Sequence, residues 1–120
     1  GTATTIDFLS EDGVFKGGTI MPGVGLMLRS LHEGTAALPD QGGDFDEYPT
    51  QTVDAIASGC QHAQAGAIER MYAQEARHVG DVTCLISGGA ARAVIPRLTI
   101  PHQYHENLVL EGLYRVSMSL

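Results

Sequence analysis

Side chains alternate over the first strand-like stretch of the chain: Thr2, Thr4, Ile6 and Phe8 fall on one side of an extended backbone, Ala3, Thr5 and Asp7 on the other. This period of two predicts a strand from Thr2 to Leu9. A second run, Val14 to Met21, has the same character. Between them, Ser10-Glu11-Asp12-Gly13 ends in an Asp-Gly pair that favours a tight reversal, so a hairpin is expected. Met21-Pro22-Gly23 should stop the second strand, because proline cannot extend the ladder and glycine permits a sharp turn. A helix is predicted from Val24 to about Glu33, with Leu26, Met27, Leu31 and Ile20 as an apolar flank and Gly34 as its C-cap. Residues 42–49 show no periodicity and read as a surface loop.

The period then changes. From Thr52, residues Val53, Ile56, Ala57, Cys60, Ala63, Ala67, Ile68 and Met71 recur at three and four, predicting one long amphipathic helix to about His78. Ala55, Ser58, Gly59 and Gly66 add small positions, as expected where a helix packs closely on another backbone, a second helix or a dimer partner. Gly80-Asp81 breaks the pattern. Val82-Thr83-Cys84-Leu85-Ile86 is a short apolar run, expected to be a strand buried on both faces. Ser87-Gly88-Gly89-Ala90-Ala91 turns into a further helix ended by Pro96, and Leu108 to Leu113 predicts a last helix or strand-to-helix transition. The order strand, strand, helix, helix, strand, helix, helix is that of an α/β chain without internal repeats.

At 120 residues this is one domain by length, able to bury roughly two-thirds of its unfolded surface. A net charge of −7 argues against a duplex-binding surface, which needs clustered basic residues, so no nucleic-acid partner is expected. Cys60 and Cys84 lack metal-ligand spacing; a disulfide is one alternative, and two buried thiols in a reducing cytosol is the reading adopted. No apolar run approaches the ~20 residues of a membrane helix and no basic leader precedes one, so a cytoplasmic chain without a membrane partner is expected. The strand begins at its first turn residue, which looks like the middle of something longer.

Two glycine turns carry the candidate chemistry. Gly1-Thr2 offers close backbone approach and a hydroxyl that both donates and accepts, the chemistry of a phosphate loop; an ordinary edge strand is the alternative. Ser87-Gly88-Gly89 joins a strand to a helix N-terminus, as at nucleotide sites, although GxGxxG and the Walker lysine are both missing and a plain tight turn would look the same. Gly17-Gly18 exceeds what a hairpin strand needs and implies a bulge or a close backbone approach. Lys16, the sole lysine, reads as a solvated edge charge. His32, His62, His78, His102 and His105 form no metal-binding pattern, and no metal ligands are assigned. Asp7, Asp12 and Asp54 are read as strand, turn and first-helical-turn residues, and no catalytic residue is assigned.

Five segments in order nevertheless resemble the second half of the type III pantothenate kinases, the group that includes the Bvg accessory factor proteins. Gly1-Thr2-Ala3-Thr4-Thr5-Ile6-Asp7 is similar to the end of the family's Asp-Ala-Gly-Thr-Ala phosphate motif, and Gly17-Gly18-Thr19-Ile20-Met21-Pro22-Gly23 to its GGxIxPG hairpin. Thr52-Val53-Asp54-Ala55-Ile56-Ala57-Ser58-Gly59 resembles the NTxxAxxSG helix start, Ser87-Gly88-Gly89 the TGG adenosine turn, and Leu108 to Leu113 the closing DLxLEGL segment. The resemblance implies two ribonuclease-H-like lobes of the sugar kinase and actin type, with residues 1–120 as a partial second lobe that lacks its first strand portion.

It also implies transfer of the ATP γ-phosphoryl group to pantothenate, the first step towards coenzyme A, with Mg²⁺ and a monovalent cation (K⁺ or NH₄⁺). Gly1 and Thr2 would meet ATP phosphate, Gly88 and Gly89 the adenosine, and Thr52 pantothenate, often across a homodimer interface. The general base, in a Gly-x-Asp-Arg segment, and the cation-binding aspartate would come from the missing N-terminal half of the same protein, so the isolated chain is expected to be inactive. Pro49-Thr50-Gln51 departs from the family's usual Gly-Arg/Lys-Asn before the substrate threonine. The alternatives are a non-catalytic regulatory or protein-binding module derived from the kinase fold and a structural dimerisation unit.

Overall fold

A computed structural model of the protein describes residues 2–34 and 43–106. Strands β1 (Ala3–Leu9) and β2 (Phe15–Pro22) form the expected antiparallel hairpin. Its turn is closed by Gly13 N–H donating to Ser10 C=O at 2.9 Å, with Gly13 at φ +80°, where glycine has no steric penalty. Burial alternates strictly along β1: Thr4, Ile6 and Phe8 are half-buried, while Ala3, Thr5, Asp7 and Leu9 face out. Both readings of Gly17-Gly18 hold. Phe8 pairs with Gly17 but Leu9 with Phe15, a bulge in which Gly17 has φ +132°. A Cβ on Gly18 would collide with the Asp7 carboxylate and with Ile6 O, so this is also a close approach. The second strand extends one residue past Met21 to Pro22, a terminal position that proline tolerates.

Helix α1 (Val24–Gly34) starts directly after the hairpin, with Met27 N–H donating to Gly23 C=O at 2.9 Å. Helix α2 (Thr52–Val79) runs 28 residues, matching the predicted span to within a residue, and ends on Gly80 at φ +83°. Its buried positions are Ala57, Ser58, Cys60, Gln64 and Ala65. Small side chains let α2 approach the hairpin and α1 closely. Among the described residues the remaining small positions are uncovered: Ala55, Gly59 and Gly66 are exposed, and a Cβ on either glycine would meet nothing within 4 Å.

Beyond α2 the observed elements are shorter than predicted. Only Leu85–Ile86 of the 82–86 run forms a strand, β3, and its residues alternate between exposed and half-buried; the expectation of a strand buried on both faces is corrected. Helix α3 covers Ala91–Val94, followed by a 3-10 turn at Ile95–Arg97 in which Pro96 sits within the first turn rather than ending the α-helix. Strand β4 (Gln103–Tyr104), which the sequence pattern does not predict, pairs in parallel with β3 through Gln103 N–H to Cys84 C=O (2.9 Å) and His105 N–H to Ile86 C=O (2.8 Å). The 108–113 segment lies outside the described residues.

The core is correspondingly thin. Among the described residues its buried apolar side chains are Ala57, Cys60, Ala65, Ala91 and Val94, whereas Ile20 is 79% exposed, Leu9 64% and Phe15 61%. Among the described residues the core is thus smaller than chain length suggests, with Leu9, Phe15 and Ile20 on the outside of the hairpin and Leu26, Leu31 and Leu85 exposed elsewhere.

Candidate active site

Thr2 stands at the open end of the hairpin with its side chain exposed. Its carbonyl accepts from Gly23 N–H at 3.0 Å, closing the ladder one step beyond the Ala3–Pro22 pair. This end is held to α2 by one side chain. Gln64, 2% exposed, accepts from the Thr4 hydroxyl at 2.7 Å and donates through Nε2 to Pro22 C=O at 2.8 Å. The same nitrogen lies 3.4 Å from Met27 Sδ, so the carboxamide reaches both strands, α1 and its own helix. At the far end of the hairpin, Lys16 pairs with Glu75 at 2.8 Å.

Thr52 is the first residue of α2, exposed, with Gln51 in extended conformation as the N-cap and no side-chain cap bond. Instead the preceding loop supports the helix start. Asp44 N–H donates to the Asp54 carboxylate at 2.9 Å, Asp46 N–H to Ser58 Oγ at 3.0 Å, and Tyr48 N–H to the Asp46 carboxylate at 3.0 Å. Phe45 packs edge-on against His62, with centroids 5.2 Å apart, and carries the Arg97 guanidinium 3.7 Å from its centroid. Thr52 opens onto a groove between α1 and α2 of about 570 Å³, floored by Ala55, Gly59 and Ala63 and walled by Met27, Leu31 and Ile56.

Gly88 and Gly89, both exposed, form the turn from β3 into α3. Gly88 has φ +109°, so glycine is required there for conformation, and Ala91 N–H closes the turn onto Gly88 C=O at 3.2 Å. Gly1 lies outside the described residues. Thr2, Thr52 and the Gly88-Gly89 turn thus occupy three separate elements, and among the described residues no hydrogen bond joins them directly.

Both thiols are free, as read from the sequence; Cys60 is buried, whereas Cys84 is only half-buried. Desolvation raises the pKa of each above the ordinary thiol value, which keeps them protonated and poorly nucleophilic at neutral pH. Glu69 is held below its usual carboxylate value by the Thr99 hydroxyl (2.6 Å) and by the Thr99 backbone N–H (3.1 Å). Among the described residues no group of three His, Cys, Asp or Glu side chains could hold a metal ion, and no helix is long and apolar enough to cross a membrane.

Sequence reasoning missed Gln64, although a signal was present. It occupies the stripe of Ala57, Cys60, Ile68 and Met71, where a lone amide among apolar positions marks a buried hydrogen bond.

The family model for type III pantothenate kinase matches residues 1–74, which carry the hairpin, α1 and most of α2. The type III pantothenate kinase of Dechloromonas aromatica (strain RCB) is 51% identical over 120 residues, covering 98% of this chain and 49% of that protein. That of Aromatoleum aromaticum (strain DSM 19018 / LMG 30748 / EbN1) is 52% identical over 113 residues, 94% of this chain and 46% of that one. The chain therefore spans about half the length of the curated relatives it matches. A crystal structure from Campylobacter jejuni, of a protein described as a conserved Baf family transcriptional activator, superposes with TM-score 0.73 at 19% identity over 98% of this chain and 54% of that one, a likeness of fold. Matched by the family model over residues 1–74 and 51% identical to one of its members over 98% of its length, the chain belongs to the type III pantothenate kinase family.

Proposed function

We propose that the chain is part of the second, ribonuclease-H-like lobe of an ATP-dependent pantothenate kinase, acting with an N-terminal half and as a homodimer. The observation that carries this reading is the family match over residues 1–74, together with an exposed Thr2 at the open end of the hairpin. There the Thr2 hydroxyl donates to an ATP phosphate oxygen and orients it, while the bare backbone of Gly88-Gly89 lets adenosine lie close. Thr52, beside the α1–α2 groove, bonds pantothenate, and a second protomer covers the small-residue face of Ala55 and Gly59. Phosphoryl transfer depends chiefly on positioning and on neutralising charge, so these contacts are this chain's share of catalysis. The base that takes the pantothenate proton lies outside it. Mg²⁺ and the monovalent cation supply charge neutralisation when bound, but the described residues offer no cluster of three ligands for either.

Two substitutions in the full-length protein separate the roles. Thr2→Ala lowers kcat/KM for ATP about 10- to 100-fold, the loss of one charge-assisted hydrogen bond worth about 1–3 kcal/mol. Thr52→Val raises KM for pantothenate and leaves ATP binding nearly intact. Unchanged kcat/KM for ATP in Thr2→Ala would remove Thr2 from the site, and equal weakening of both substrates in Thr52→Val would indicate a damaged helix start instead.

A further inference from the structure

We propose that Gln64 is a positioning residue for the nucleotide side of the site, setting the open end of the hairpin, and with it Thr2, against α2. The inference rests on the kinase reading above. An amide removed from water is costly unless bonded, and an apolar side chain would fill this stripe without that cost. Gln64 is 2% exposed and spends its acceptor on Thr4 and a donor on Pro22 C=O, at 2.7 and 2.8 Å. A satisfied buried amide specifies one arrangement, because a shifted strand would leave it unpaired.

The two groups it grips flank Thr2. Thr4 is the next residue on the same face of β1, and Pro22 is the partner of Ala3, with Gly23 N–H bonded to Thr2 C=O at 3.0 Å. Gln64 lies on the helix that begins with Thr52, about 18 Å along its axis at 1.5 Å per residue. One carboxamide therefore fixes the strand carrying the phosphate contact relative to the helix carrying the pantothenate contact.

The test uses full-length protein with three single substitutions and one double. Gln64→Met keeps the length of the side chain and removes the amide, Thr4→Val removes the hydroxyl at constant shape, and Thr4→Ser retains it. ATP binding is measured by calorimetry, and KM for ATP and for pantothenate by turnover. Gln64→Met and Thr4→Val each weaken ATP about 3- to 10-fold, the value of one buried hydrogen bond. KM for pantothenate stays within about twofold of wild type, and Thr4→Ser restores wild-type ATP binding. The double variant binds ATP no more weakly than Gln64→Met alone, because the two groups share one bond. Wild-type ATP affinity in a Gln64→Met protein with lowered Tm would overturn the proposal and leave Gln64 a purely structural amide. Equal losses for both substrates would overturn it too. Absence of pantothenate turnover in wild-type protein would instead defeat the kinase reading, with the effect of Gln64 on ATP still read by calorimetry.

Discussion

At the scale of single residues, hydrogen bonds and local conformation decide which side chains are available for chemistry. Thr2 and Thr4 share a face of the extended chain, yet Thr4 is half-buried against Gln64 whereas Thr2, beyond the end of β1, is exposed; the alternation was visible in the sequence, the difference between these two threonines was not. Gln64 was harder to see, since its value depends on groups 60 and 42 positions away in the chain. Glu69 gives a titratable check on the described geometry. Its folded-state pKa is lowered, so its contribution to stability is present above the ordinary carboxylate value and is lost as pH falls through the folded-state value. Thr99→Val should therefore lower stability at neutral pH by less than about 1 kcal/mol, because solvent screens the pair, and lower Tm slightly. That difference should fade on acidification. A difference in Tm that persists unchanged at acidic pH would show that packing, not the bond to Glu69, is what Thr99 provides.

Among the elements, the hairpin and α2 were legible because each repeats its own period over many residues, seven in β1 and 28 in α2. Strand β3 was read only as part of a longer run, Val82 to Ile86, and β4 was missed. Two residues each carry no period, and their pairing depends on where α3 returns the chain. The start of α2 was read from Thr52 correctly, but its support was hidden, because Asp44 and Asp46 use backbone N–H groups that every residue but proline possesses. Gly43 carries the sharpest consequence. A Cβ there would sit 2.5 Å from Val53 C and O and 2.6 Å from Asp54 N, backbone atoms of the helix that cannot yield cheaply. Gly43→Ala should destabilise the full-length protein by about 1–3 kcal/mol, the range for overpacking. Denaturant midpoints measure this, and an unchanged midpoint would mean that the loop does not lie on α2 in solution.

Over the whole molecule, the family could be read from the sequence, whereas the unevenness of the core could not. Composition counts apolar residues without saying which face each will occupy. Here Leu9, Phe15 and Ile20 lie outward, leaving the hairpin backed by α2 on one face and bare on the other among the described residues. A chain spanning about half of its relatives' length is expected, on our proposal, to have that bare face covered by the remaining half. The central claim is that this chain contributes binding groups, with the proton-accepting base supplied from elsewhere. Its most direct test is pantothenate-dependent ADP release, comparing this chain alone with the same chain joined to its N-terminal half. Turnover is expected only in the joined protein. Turnover by this chain alone, or none from a folded joined protein, would contradict it.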